Sequence, residues 1–268
     1  MLRLRLLGGF EVDLAEGAPR LGPKAQALLA FLAMSRGTVA ARGRLAGLLW
    51  GERNEELARH SLSQALCTLR TAFGPDAADL LQAGPDGVRL ARDGLELDVE
   101  AFESAVHGHR PEAMQAACLL YRGEFLEGLD IRESGFEDWL LDERYRLREL
   151  ATDAFARLLD QQTEAGEAEA AVPTARKLLA LTPLDEAVHA RLIRLYGELG
   201  RRGLAEVHYA RATALLHREL GEQPGHELQR ALAEARRASA LIGAGRRPGA
   251  HGAADDLRGR TQRGFTER

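Results

Sequence analysis

The sequence predicts a mainly α protein in two parts: an N-terminal winged helix-turn-helix (α+β), then an all-α, tetratricopeptide-like helical domain. Three observations carry this expectation. Residues 2–14 alternate apolar and polar side chains, the period of half-buried strands. Residues 24–73 change to apolar steps of three and four, the period of helices. From Asp98 the chain reads as helical to about Ile242. Within it "AVPTARKLLAL" aligns with "EVHYARATALL" at a spacing of 35 residues, Ala175 on Ala210 and Arg176 on Arg211. A period near 34 is that of helical hairpins, which need neighbours to bury their shared face.

Taken in order, Leu2, Leu4 and Leu6 and then Phe10, Val12 and Leu14 flank Gly8-Gly9, which reads as two short strands and a turn. "EGAPRLGP" has Gly and Pro punctuation and room for a third short strand. Leu28, Leu29 and Leu32 define a first helix from Lys24 to near Arg36-Gly37. "RGRLAGLLWG", residues 42–51, is a second, closed by Gly51. "EELARHSLSQALCTLRTAF", residues 55–73, is a third, with Leu62, Leu66, Leu69 and Phe73 on one stripe. "LLQAGPDGVRLARDG" reads as a hairpin around Gly84 and Gly87. Strands, three helices and a hairpin are the order a winged helix requires. Further on, Leu147, Leu150, Ala154 and Leu158 mark a long helix, and Val188, Leu192, Leu195 and Leu199 another. From Gly243 the apolar period stops and Gly and Arg dominate, the composition of a disordered tail. The expected division is 1–97, 98–243 and 244–268.

Composition narrows the function classes. The chain is 45% hydrophobic and 28% charged, as expected of a globular protein. Cys67 and Cys118 fit neither a disulfide framework nor metal-ligand spacing, which suits a reducing cytosol. No apolar run approaches the roughly 20 residues that span a bilayer, and "MLRLRLLGGF" is too short and too alternating for a signal peptide. A cytoplasmic protein with no membrane partner is expected. Charge is uneven. Residues 1–97 hold 12 Lys+Arg against 11 Asp+Glu, residues 98–243 hold 18 against 26, and residues 244–268 hold 6 against 3. Any nucleic-acid contact therefore belongs to the first part, through local clusters of cations. There is no G-x-x-x-x-G-K-[ST] loop, G-x-S-x-G elbow or H-E-x-x-H helix, so neither an enzyme nor a cofactor is expected. His189, His208 and His217 are not spaced as a metal set and are expected on helix surfaces. Trp50 is expected in the winged-helix core and Trp139 in the helical core.

The outer side of residues 55–73 is unusual for a solvated helix. Arg59, His60, Ser63, Gln64, Cys67, Thr68, Arg70 and Thr71 put short hydrogen-bonding groups between arginines, where Glu and Lys pairs four apart would be ordinary. In order, "LLGGFEV", "KAQALLAFLAM", "RGRLAGLLWGE" and "SLSQALCTLRTAF" resemble the OmpR/PhoB-type winged-helix domain of SARP-type bacterial activators. "DVEAFESAV", "LYRGEFLEGL", "TPLDEAVHARLIRLYGELGR" and "YARATALLHRELGEQPGHEL" resemble the bacterial transcriptional activator domain that follows it. The resemblance covers about residues 2 to 235.

It implies a DNA-binding transcriptional regulator, an activator, with residues 55–73 as the recognition helix in the major groove. Carried over by position, His60, Gln64, Cys67 and Thr68 face bases, with Gln64 suited to adenine and Thr68 to a thymine methyl or base edge. Ser61, Ser63 and Arg70 face phosphates, Lys24, Arg42 and Arg44 add backbone contacts, and Arg89 and Arg92 belong to the wing. The implied partners are double-stranded promoter DNA with repeated sites, a second copy of the chain on that DNA, and RNA polymerase. Some positions depart from the family pattern: Cys67 and Thr68 stand where relatives often carry basic residues, Gly87-Val88 replaces "GY", and Tyr121 replaces the Trp of "WRG". Fewer cations imply weak intrinsic affinity and a shallow salt slope. The competing expectation is a protein-interaction adaptor whose helical repeats do the work and whose winged helix is degenerate.

Overall fold

A computed structural model describes residues 1–14, 17–74, 77–108 and 111–245. Strand β1 (Leu2–Arg5) pairs antiparallel with β2 (Glu11–Leu14), placing Leu2 opposite Leu14 and Leu4 opposite Val12. Leu2 and Leu4 are fully buried, as their alternation requires. Helices α1 (Pro23–Met34), α2 (Arg42–Trp50) and α3 (Glu55–Phe73) follow. After the short α4 (Ala77–Leu80) comes the hairpin β3 (Leu81–Ala83) and β4 (Val88–Leu90), and then β5 (Leu95–Leu97). β5 lies parallel to β1 and completes a sheet of order β2-β1-β5. This is a winged helix-turn-helix, the hairpin being its wing. Gly87 allows the wing to lie against the segment before α2: with φ of 151°, it has Ala40 so close that a side chain would collide with its backbone.

The strand expected between residues 16 and 23 does not form over its described residues. Gly17 makes only an isolated bridge to Leu14, and Pro19 and Pro23 lack the N–H groups a ladder needs. The third strand of the sheet is β5 instead.

The remainder is helical: α5 (Asp98–His107), α6 (Pro111–Leu120), α7 (Ser134–Glu164), α8 (Ala168–Leu181), α9 (Glu186–Glu198), α10 (Arg202–Leu220) and α11 (His226–Gly245). α8 and α9 form one hairpin and α10 and α11 the next, so the matched Ala175 and Ala210 occupy equivalent helices. Gly197 lets α9 and α11 touch, since a side chain there would overlap Ala235. The tail expected from residue 244 lies, beyond the end of α11, outside the described residues.

Helix is not continuous from Asp98. Residues 121–133 form an irregular segment, because their backbone groups are used elsewhere. Leu126 N–H donates to the Leu6 carbonyl (2.9 Å), Glu127 N–H to that of Gly8 (2.8 Å), and Gly8 N–H to that of Glu124 (3.0 Å). The first sheet is thereby hydrogen-bonded to the helical part. At the same place Asp98, the first residue of α5, accepts from the Leu6 and Leu7 N–H groups at 2.8 to 3.0 Å. Burial pushes its carboxyl above the ordinary range, and those N–H donors and Arg122 pull the other way.

One apolar core runs through both parts. Phe31 of α1 meets the edge of Trp139 of α7 at 5.2 Å, and Phe125 and Phe136 close on the same ring at 5.8 and 5.2 Å. Trp139 thus bridges the two cores rather than serving one. Glu103, buried on α5, pairs with Arg36 at the end of α1 and with Arg146 of α7 (2.6 Å).

His189 is a further correction, since it does not lie on a helix surface. It is buried, its Nε2 at 2.9 Å from the Pro183 carbonyl and its Nδ1 at 3.0 Å from His208 Nε2. The carbonyl can only accept, so His189 Nε2 carries the proton and His208 Nε2–H donates to His189 Nδ1. Burial, with His189, Arg176 and Arg211 close by, pushes the His208 imidazole down to about 4.

Candidate nucleic-acid interface

The sequence builds α3 with defined ends. Asn54 caps it by accepting from Leu57 N–H at 2.9 Å, and Glu55 and Glu56 sit in the positive first turn. Gly74, with φ of 60°, closes it. Ala58, Leu62, Ala65, Leu66, Leu69 and Phe73 are buried against the rest of the winged helix. His60, Ser63, Gln64, Cys67, Thr68 and Arg70 are exposed, and Ser61 is half-buried at the margin. The polar strip is open to solvent and is not covered by the helical repeats.

Hydrogen bonding within the strip decides what it can offer. The Gln64 amide nitrogen lies 3.0 Å from His60 Nε2, so His60 accepts there and holds the amide in place. The second amide N–H and the carbonyl oxygen of Gln64 stay free, which is the pair a bidentate adenine contact needs. Ser63, Thr68 and Thr71 hydroxyls donate back to the carbonyls of Arg59, Gln64 and Cys67 at 2.9 to 3.0 Å. Their remaining lone pairs leave them able to accept from an outside donor as they stand, while donating would require the hydroxyls to rotate. Ser61 is the reverse case. Its oxygen accepts from Arg53 at 3.0 Å and keeps its own O–H to donate.

Two concavities flank α3. One of about 700 Å³ lies between its end and the wing, with Arg70 on one side and Arg89 on the other. Arg89 is steadied by Gln82 Oε1 at 2.8 Å, and Arg42 reaches toward the Gly84 carbonyl at the wing tip, 3.5 Å away. The other, about 480 Å³, joins Gln64, Cys67, Thr68 and Thr71 to Arg20. Arg20, Arg53 and Thr71 join the interface in space and had not been singled out as contacts. Arg20 lies in an aperiodic stretch, and its only signal is a lone cation just before the first helix.

Lys24, Arg44 and Arg92 each have a partner within the protein. Lys24 sits beneath Trp50, which is buried in the winged-helix core as expected, and its ammonium is held by Glu133 Oε1 (2.8 Å) and the Leu49 carbonyl. Glu133 is buried; burial pushes its carboxyl up, yet Lys24 and the N–H groups of Glu52 and Gly51 outweigh this and hold it low. Arg44 stacks over Phe31 at 5.4 Å, and Arg92 pairs with Glu100 at 3.1 Å. Cys67 is an exposed free thiol. Among the described residues no group of three or more His, Cys, Asp or Glu could hold a metal ion, and no helix is long and apolar enough to cross a membrane.

Comparison with known proteins fits this architecture. The family model described as "Bacterial transcriptional activator domain" matches residues 86–236. The transcriptional regulatory protein MoaR1 of Mycobacterium tuberculosis is 27% identical over 241 residues, 83% of this chain and 75% of MoaR1. The MoaR1 of Mycobacterium bovis matches to the same extent. Among solved structures, Mycobacterium tuberculosis EmbR in complex with a low-affinity phosphopeptide superposes with a TM-score of 0.62. At 24% identity, over 91% of this chain and 69% of EmbR, that likeness speaks for the fold.

Proposed function

The chain belongs to the bacterial transcriptional activator domain family of transcriptional regulators, and from that premise we propose that it reads promoter DNA with α3. The observation that carries the reading is the open strip His60–Gln64–Cys67–Thr68, backed by a buried leucine stripe and flanked by Arg70 and Arg89 across one concavity. In a major groove, Gln64 meets an adenine and Thr68 a neighbouring base edge, with His60 and Cys67 beside them. Arg70 and Arg89 straddle the sugar-phosphate backbone between helix and wing, Ser61 donates to it from the other margin, and Ser63 does so after rotating. Arg42, Arg20 and Arg53 add positive charge around the rim. Lys24, Arg44 and Arg92 would each have to leave a partner to reach phosphate, so they contribute least.

We take residues 1–97 as the DNA-binding unit and 98–243 as the unit for self-association on repeated half-sites or contact with RNA polymerase. The shared core makes the whole chain the right reagent, since residues 1–97 alone would expose Phe31, Leu6 and Leu7. Selection from random duplex DNA with the full chain is expected to return a defined, directly repeated motif. No motif enriched above background would instead point to an adaptor that works through its helical repeats.

A further inference from the structure

A second cavity, of about 420 Å³, lies in the helical part, away from α3, where the segment after α6 meets α7 and the end of α8. Its volume is in the range that takes a small molecule. Phe155 and Leu181 supply apolar wall. Tyr121 closes one end. It is 6% exposed, its ring packed on Phe102 and Phe155 at 5.8 and 6.3 Å, and its hydroxyl has no hydrogen-bond partner among the described residues. The ring is buried while the hydroxyl opens into the cavity, where it is free to donate to a group that arrives from outside.

The charges in the cavity are equally unusual for this chain, where most arginines near a surface meet a carboxylate. Lys177 has no carboxylate partner among the described residues; its ammonium lies 5.7 Å from the Phe155 ring centre. Among the described residues Arg148 also lacks one, and it donates to the Leu181 carbonyl. Of the acids on the opposite rim, Glu124 is taken up by Arg144 at 3.4 Å, and Glu127 stands near Gly123. Burial, helped by Glu124 and Glu127 and opposed by Arg148, pushes the Tyr121 hydroxyl upward, so it stays protonated and able to donate.

We propose that this cavity binds a small aromatic organic anion, a carboxylate or a phosphate monoester. Lys177 and Arg148 hold the charge, Phe155 and Leu181 hold the ring, and the Tyr121 hydroxyl donates to an anion oxygen. Glu124 and Glu127 repel the anionic end and so set its direction. The far side of the same loop is the one hydrogen-bonded to Leu6 and Gly8, so a bound anion would stiffen the join between helical part and sheet. The inference does not rest on DNA reading, and its test uses no DNA.

Calorimetric titration of the full chain with benzoate, phenyl phosphate and cationic benzamidine tests it. One of the two anions is expected to saturate a single site at least about tenfold more tightly than benzamidine, and which anion it is decides between carboxylate and phosphate. Lys177→Gln and Arg148→Gln should each weaken that anion by about tenfold and Tyr121→Phe by about threefold. Arg218→Gln, an exposed arginine on α10 paired with Glu219, should change nothing. Lys177 is exposed, so its variant keeps the test sound if Tyr121→Phe does not fold. No saturable binding of either anion, equal binding of benzamidine, or Lys177→Gln behaving like Arg218→Gln would overturn the proposal.

Discussion

The outer face of α3 and the join between the winged helix and α7 use similar residues to opposite ends. At the join, Lys24, Arg36 and Arg146 meet Glu133 and Glu103, whose carboxylates are about nine-tenths buried, and Lys24 also lies over the Trp50 ring. On α3, the exposed polar groups Ser63, Gln64 and Thr68 bond within their own helix, Ser61 bonds to Arg53 just before it, and the strip stays open to solvent. Charge that is neutralised inside the fold is not available to phosphates, so the face proposed to read DNA has few cations of its own. On that proposal, sequence preference comes more from hydrogen bonding than from charge.

Removing the join's aromatic contact should have the largest effect. Phe31→Ala is expected to cost about 3–5 kcal/mol in chemical denaturation and to lower the unfolding midpoint of both parts together. Separate transitions would mean that the core is not shared. Gln64→Ala belongs to the other side of the comparison. It should leave the midpoint where it is and relax preference at one base position by about 1–3 kcal/mol in competition binding. Arg70→Ala should instead weaken all sequences alike and reduce the salt slope by about 1. If both helix variants bind like the parent, the face is misassigned.

Glu103→Gln comes next, at about 1–2 kcal/mol. Its carboxylate is buried, but both arginines are about half exposed and water screens them, so the full cost of a broken buried pair is not reached. The chosen DNA sequence should not change. The smallest effect is that of pH on Glu133. Its carboxyl lies below the usual value of 4.5, so the stability it lends is present above that pH and is lost as pH falls through the folded value. Thermal midpoints of the parent and Glu133→Gln should therefore differ at pH 7 and converge as pH falls below 4.5 and through the folded value. A constant gap across that range would show that Glu133 titrates no differently once folded.

What could be read in advance was what depends on neighbours along the chain. The leucine stripe of α3, the wing turn at Gly84–Gly87 and the paired helices around Ala175 and Ala210 are local patterns. β5 was missed because three residues with no turn before the next helix show no alternation to recognise; its pairing with β1 is made more than ninety residues away. Residues 121–133 read as helix because Leu and Phe recur there, but the backbone bonds to Leu6 and Gly8 instead. Lys24 looked like a helix-start cation. Its true partner, Glu133, sits 109 positions along the chain. The double corrections at His189 and Trp139 have the same origin, since both are defined by side chains on other helices.

The continuous sheet-to-loop hydrogen bonding at Leu6, Gly8 and Leu126 has a geometric consequence for any promoter-bound copy. These bonds tie α3's domain to the helical repeats as one bracket. If, as proposed, two copies dock side by side on repeated sites, they must match the helical phase of the duplex, and inserting half a turn of DNA between half-sites should separate them as surely as a mutation would.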